Sequence, residues 1–397
     1  MRSSLASFFP ALALAVTVSV TAAPSASVNA YGRWPNGPAH GEGFFPIAVW
    51  LQPPAQARQY LDAGFNTYVG LWNGPTEEQL TALKEAGMRV ICEQNAVALK
   101  HLNDPTIIGW MHGDEPDNAQ ELGAGKGYGP PVPPAIIIAE YQRMRAVDPT
   151  RPVMVNLGQG VAWDDYIGRG IRRNHAEDYA DYVQGGDIAS FDIYPVAHDS
   201  PAVAGKLWFV PHGVERLITW AGPDRLVWNC IECTRIGNPV HKATPHQVRC
   251  EVWMSLIHGS RGLIYFVHEW KPRFNESALL SDPEMLAAVT AINRQIAHLA
   301  PVLNRPTVTD AVTVVSENPE VSIAVMAKRT GDAVYFFAVA MREGKTTASF
   351  TLRGRAGEPM VEVLGENRTL NPQNGVFRDD FQPWDAHVYR IATASGR

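Results

Sequence analysis

Residues 44–305 alternate short apolar runs with stretches of helical periodicity, and this constrains the fold of the 397-residue chain more than any other feature. The runs are FFPIAVW (44–50), NTYVGLW (66–72), MRVICEQN (88–95), TIIGWMHGDEP (106–116), RPVMVNL (151–157), DIASFDIYP (187–195), RLVWNCIECT (225–234) and GLIYFVHEW (262–270). Their length and near-continuous apolarity fit strands buried on both faces. Between them the pattern predicts helices over Ala55 to Ala63, Thr76 to Ala86, Ala135 to Val147, Ala176 to Val183, Val214 to Trp220, Pro245 to His258 and Pro283 to Leu299. The helical signal after the third run is weak. The last helix shows its period through Met285, Leu286, Val289, Ile292, Ile296 and Leu299. Thr76 followed three residues later by Gln79 is a start signal, and Gly64 and Gly87 stand where helices stop. Eight strands alternating with helices over about 260 residues predict a parallel (β/α)8 barrel of the α/β class.

Beyond Arg305 the texture changes to short strands without helices: AVTVVSE, VSIAVMAKR, AVYFFAVAM, TASFTLRG, MVEVLG and AHVYRIA, separated by turn clusters. They predict a small antiparallel β-sandwich, an accessory domain over residues 306–397 behind a barrel over 24–305. Pro301, Pro306 and the short connector Leu303 to Thr307 leave little room for a flexible linker. Ahead of the barrel, Arg2, the apolar stretch Leu5 to Val20 and the small residues Thr21, Ala22 and Ala23 read as a signal peptide over residues 1–23. The mature chain is therefore expected to be soluble and secreted or periplasmic, with no membrane partner after cleavage.

Charge and cysteine count exclude several classes. A formal charge of −6 gives no basic surface for phosphate backbones, so a nucleic-acid partner is not expected. Four cysteines, Cys92, Cys230, Cys233 and Cys250, are too few for a disulfide scaffold of this size and allow one bridge at most as an expectation. Cys230 and Cys233 have half the spacing of a zinc ribbon, but no second pair stands at ligand distance. No metal and no cofactor is expected, and the loop 118–134 carries no phosphate cradle opening a helix.

The chemistry of such a barrel sits at the C-terminal strand ends, which form one ring. The fourth run ends in HGDEPD, with Asp114, Glu115 and Asp117, and the seventh in CIECT, with Glu232. Two strands on opposite sides each deliver a carboxylate. Glycoside hydrolysis needs such a pair, one protonating the leaving oxygen and one attacking or activating water from the other face. Taken singly, Glu115 also reads as a helix N-terminal charge and Glu232 as a partner of Arg235.

A Glu-Pro after strand four, a Glu after strand seven, the Tyr of FDIYP and the Trp of HEW together resemble the clan A glycoside hydrolases. The resemblance covers the whole mature chain and implies a retaining barrel enzyme, with Glu115 as acid/base and Glu232 as nucleophile. It also implies that Tyr194 hydrogen-bonds the nucleophile and that Trp270 forms an aromatic floor under the sugar. The clan usually has Asn before the acid/base, and this chain has Asp114.

Strand parity adds further candidates. Ser190, Asp192 and Tyr194 share one face, so Asp192 reads as a sugar ligand or as a buried barrel carboxylate. Trp50, Trp72 and Trp270 close strands one, two and eight, where flat rings suit pyranose faces or simply fill core. Asn95, His112, Asn156 and His268 are candidate hydroxyl ligands. Glu269 and Glu93 are weaker rivals for the nucleophile. The long connections 118–134, 159–174 and 197–212 are expected to roof a cleft. Arg169, Arg172 and Arg173 read better as partners of Glu177 and Asp178 than as ligands of an acidic sugar. The expected partner is an oligo- or polysaccharide with a β-linked bond. The alternatives are a catalytically silent carbohydrate-binding barrel and a metal-dependent barrel hydrolase, the latter lacking a His-x-His after strand one.

Overall fold

The computed structural model describes residues 30–39, 41–331, 333–353 and 360–392. The expected signal peptide lies outside them. The first nine strands are β1 (Ile47–Trp50), β2 (Thr67–Val69), β3 (Arg89–Glu93), β4 (Ile107–Met111), β5 (Val153–Leu157), β6 (Ile188–Phe191), β7 (Leu226–Val227), β8 (Asn229–Glu232) and β9 (Leu263–Phe266). All their pairings are parallel. The order β7-β6-β5-β4-β3-β2-β1-β9-β8 closes on itself, because β7 and β8 are one stave interrupted at Trp228. Eight staves, as expected, therefore make a (β/α)8 barrel.

Among the described residues seven α-helices follow the strands: α1 (Ala57–Asp62), α2 (Glu77–Ala86), α3 (Pro134–Val147), α4 (Tyr179–Tyr182), α5 (Phe209–Ala221), α6 (Pro245–Ile257) and α7 (Pro283–Leu303). Thr76 and Gln79 form the expected capping box on α2, and Gly87 ends it in the left-handed region at φ 80°. Where the helical signal is weak, after β3, there is only a 3-10 turn, Ala98–His101. The expected helix 176–183 shrinks to one α turn flanked by 3-10 turns.

Alternate strand residues divide between two cores. Ala48, Val69, Ile91, Met154, Ile188 and Ile264 fill the barrel, while Val49, Tyr68, Val90, Val155, Phe191 and Tyr265 pack on the helices. The N-terminal end of the barrel is plugged by Tyr31 and Trp34, which belong to the interior cluster. Tyr31 Oη donates to the Arg261 carbonyl at 2.7 Å and accepts from Trp228 Nε1 at 2.9 Å. The Trp228 ring lies so close to Gly262 that a Cβ there would sit 2.4 Å from it. Gly262→Ala is therefore expected to destabilise the chain by about 1–3 kcal/mol through overpacking, read as a lower urea midpoint with unchanged slope.

The C-terminal strands are β10 (Val312–Ser316), β11 (Ile323–Arg329), β12 (Ala333–Ala340), β13 (Thr346–Leu352), β14 (Val361–Val363), β15 (Arg368–Leu370), β16 (Val376–Phe381) and β17 (Ala386–Ala392). They form two antiparallel sheets, β10-β13-β16 and β11-β12-β17-β14-β15, the expected sandwich. It docks on α6, where Trp253 stacks on Phe337 at 5.3 Å and His246 reaches the Pro383 carbonyl at 2.8 Å. Phe337, Val339, Trp384 and Val388 belong to the same continuous core as the barrel helices. All four cysteines are buried and unbonded.

Candidate active site

Each carboxylate of the barrel mouth is placed by the strand that ends beneath it. Glu115 follows β4 by four residues and takes a left-handed backbone, φ 44°, held by its amide on the Asn156 carbonyl at 3.2 Å. A non-glycine residue there costs about 1–3 kcal/mol and is characteristic of functional sites. Asn118, three residues on, donates from Nδ2 to Glu115 Oε2 at 2.7 Å. Asp192 immediately follows β6, its amide on the Leu157 carbonyl at 3.1 Å. β4 and β6 are alternate staves, which contribute to one layer of a barrel. The Glu115 and Asp192 carboxyls stand within hydrogen-bonding reach of each other.

Their environments separate them. Burial, then the charge of Asp192, with those of Asp114 and Asp117 behind it, holds Glu115 well above the carboxylate range. Burial also raises Asp192, but only to about 6, because hydrogen bonds from Glu115 and Tyr194 favour its ionised form. Asp192 Oδ1 is buried and has no partner among the described residues. Such splitting of two adjacent carboxyls assigns the proton to Glu115 and the charge to Asp192.

Asp114 stands at the rim with its carboxyl turned onto buried Asn156, whose Nδ2 donates to Oδ1 at 2.9 Å. Burial, with the charges of Asp192 and Asp117, pushes it up to about 7. Asn156 is in turn oriented by Ser190 Oγ at 2.7 Å, so this expected ligand positions Asp114. Tyr194 hydrogen-bonds Asp192 and packs on Phe266, with ring centroids 5.1 Å apart. From Phe266 the rings continue outward through His268 at 5.0 Å and Trp270 to Phe274 at 4.9 Å. Trp270 and Phe274, 48% and 60% exposed, form a shelf at the mouth and not core, while Trp72, just beyond β2, is 67% exposed.

Several expected ligands are placed elsewhere. Glu232 does not oppose Glu115: its carboxylate is completely buried under the loop that follows β6, accepting from Val196 N at 2.6 Å and Ala197 N at 2.8 Å. Those amides and Glu251 of α6 are the groups acting on it, and no mouth carboxylate is among them. The β6 loop, which closes over the strand end, is what overrides the expectation that strands four and seven present facing carboxylates. Asn95 caps the turn after β3, accepting from Val97 and Ala98 amides at 3.0 and 2.9 Å and donating to the Pro75 carbonyl. His112 lies beneath α3, between Glu140 and the Gly185 carbonyl. Trp50 is 5% exposed and belongs to the interior core. His268 is buried, with Nε2 at 3.3 Å from the Leu51 carbonyl. Glu269 faces Arg235 at 3.7 Å, in a polar pocket of about 270 Å³ with Lys242 and Asp282. Arg169 and Arg172 pair with Asp178, and Arg173 with Asp165.

Sequence reasoning missed Asn118, Tyr166 and the anchoring role of Asp117. Asn118 was legible in principle, one turn beyond Glu115. Asp117 accepts from the Gly158 amide at 2.9 Å and Tyr179 Oη at 2.8 Å and ties the β4 loop to the β5 loop. Tyr166 feels the charges of Glu115 and Asp192 but sits in an irregular loop without periodicity.

The (β/α)8 barrel with its appended sandwich is a fold also seen in solved structures. The chain is similar to an alpha-amylase from Geobacillus thermoleovorans, at 12% identity and TM-score 0.54, covering 89% of this chain and 99% of that one. It is also similar to a maltogenic alpha-amylase from Thermotoga neapolitana (9%, TM-score 0.52, 89% and 99%) and to a putative alpha-galactosidase from Bacteroides fragilis (11%, TM-score 0.50, 89% and 81%). At these identities the likeness is one of fold. No family model and no curated protein matches the sequence.

Proposed function

We propose that the chain is a retaining glycoside hydrolase in which Glu115 is the acid/base and Asp192 the nucleophile. The observation that carries this reading is the contact between these two carboxyls at the barrel mouth, Glu115 raised well above the carboxylate range by burial and by Asp192, and Asp192 left with a free oxygen. In the forward step Asp192 attacks the anomeric carbon while Glu115 protonates the departing oxygen. Water, deprotonated by Glu115, then releases the sugar from Asp192. Retaining sites hold their carboxyls about 5–5.5 Å apart and inverting sites about 6.5–9.5 Å, to seat a water; a pair in contact has no such seat and opens first to the shorter spacing. An entering sugar parts the pair and lies over the Trp270 shelf.

The Glu-Pro motif after β4 supports a β-linked substrate, and the apolar stretch Leu5 to Val20 supports export toward an extracellular glycan. A panel of paired aryl α- and β-glycosides and polysaccharides, with proton NMR of the first product, tests the proposal. Turnover of a β-glycoside with retained configuration is expected. An inverted product removes the double displacement. Binding without turnover replaces the hydrolase by a carbohydrate-binding barrel. Trp270→Ala is expected to raise KM for oligosaccharides roughly 5–10-fold, a loss of about 1 kcal/mol of stacking, with little change in kcat.

A further inference from the structure

We propose that Glu232 and Glu251 form a proton-sharing carboxyl pair that positions the loop after β6, and with it Tyr194 and Asp192, and that loss of the shared proton in alkali releases this loop. The assignment of Asp192 and Tyr194 to chemistry rests on the proposed function; the pair and its loop do not.

Glu232 ends β8 and takes the amides of Val196 and Ala197 on its two oxygens, at 2.6 and 2.8 Å. Val196 is two residues beyond Tyr194, the residue that hydrogen-bonds Asp192. Ala197 is held from its other side as well, its carbonyl accepting from Asn238 Nδ2 at 3.2 Å. The seventh stave and its loop thus grip the sixth stave's loop through both polar groups of one peptide unit's neighbourhood. Beneath Glu232 lies Glu251 of α6, completely buried, with neither carboxyl oxygen given a hydrogen-bond donor among the described residues and with Glu232 the charged group that acts on it. Two buried carboxyls acting on each other inside a packed wall cannot both be ionised without a cation, and among the described residues no cation is a cause of either shift.

The titratable groups around the pair do not relieve this. Cys233 and Cys250 are buried thiols just beyond β8 and on α6, and the buried guanidinium of Arg249, also on α6, is balanced by Glu366, Cys250 and Asp385. Lys242 and Asp282, which act on Cys233, are paired with each other. From α5, Glu215 faces His258 just beyond the C-terminal end of α6, and β12, packed on α6, contributes Tyr335. On the gripped loop, His198 contacts Gln159 and Asp199 contacts Asn238.

Burial pushes Glu232 up to about 7 and holds Glu251 well above the carboxylate range. An unfolded glutamate releases its proton near ~4.3. Between that value and the raised folded values the native chain holds protons the unfolded chain has lost, so this contribution is full below the unfolded value and falls as pH rises.

Hydrogen exchange of the wild-type full chain between pH 6 and 9 reads the loop without substrate. After correction for intrinsic exchange, protection of the 194–199 segment is expected to fall up to tenfold per pH unit through the pair's ionisation, while β4 and β5 keep theirs. Constant protection overturns the proposal. Glu251→Gln keeps a donor toward Glu232 and removes the second charge, so it should flatten the fall in melting temperature over the same range. In kinetics it should shift the alkaline limb of kcat with little change in KM, which a merely packing role would not do. Unchanged slopes in both measurements also overturn the proposal. If no glycoside is ever turned over, the proposed function fails while the exchange result stands.

Discussion

Glu115→Gln is expected to lower kcat by about 10²–10⁴-fold on glycosides with poor leaving groups, the contribution of a positioned general acid, and far less on activated aryl glycosides. Asp192→Asn should be at least as damaging on both, because no nucleophile remains. The wild-type profile should be bell-shaped: the rate rises as Asp192 loses its proton, about pH 6, and falls when Glu115 loses its own at higher pH. Glu115→Gln should keep the acid limb and lose the alkaline one. Azide added to a small-side-chain variant, Asp192→Ala, should restore release of a glycosyl azide of inverted configuration from an activated β-glycoside. Glu232→Gln should retain more turnover than either mouth variant, since its carboxylate touches loop amides and not substrate. Rescue by azide at Glu232→Ala, and none at Asp192→Ala, would reverse the roles.

The second large effect concerns the sandwich. A chain ending at Arg305 is expected to lose cooperative folding, because it strips α6 of Phe337, Val339, Trp384 and Val388, members of the core that the barrel helices share. It also uncovers Trp253, which is 1% exposed in the whole chain. Trp253→Ala in the full chain should cost about 3–5 kcal/mol in urea denaturation. Crossing it with Phe337→Ala should reveal a coupling of about 0.5–1.5 kcal/mol for the stacked rings. The full chain should melt in one transition. A soluble truncated barrel with unchanged melting would show two independent domains.

The consequence for the site is that the sandwich braces α6, and α6 carries Glu251 against the wall beneath the β6 loop. An accessory domain without catalytic residues can thus bear on the mouth through packing alone. His246 on the Pro383 carbonyl and Lys328 Nζ on the Arg305 carbonyl at 2.7 Å fix the orientation of the docked sheets.

The sequence by itself determined the barrel, the sandwich, and the staves that end in carboxylates. Periodicity, capping residues and glycine positions act locally, so Thr76, Gln79 and Gly87 were readable one turn at a time, and so was Glu115 within HGDEPD. Parity put Asp192 and Tyr194 on the inner face, and both stand at the mouth. Only the tertiary structure decided which carboxylates meet. Glu232 and Asp192 are both inward by strand alternation, but alternation ends where the strand ends, and beyond that point the side chain follows the loop that covers it. The amides of Val196 and Ala197 draw Glu232 into the wall, while Asp192, on the stave two from β4, is left facing Glu115. Asn95 and His112 were misread for the same reason: a polar side chain at a stave end goes to the nearest unsatisfied backbone or charged group, and which group that is depends on segments 20 to 73 residues away in sequence.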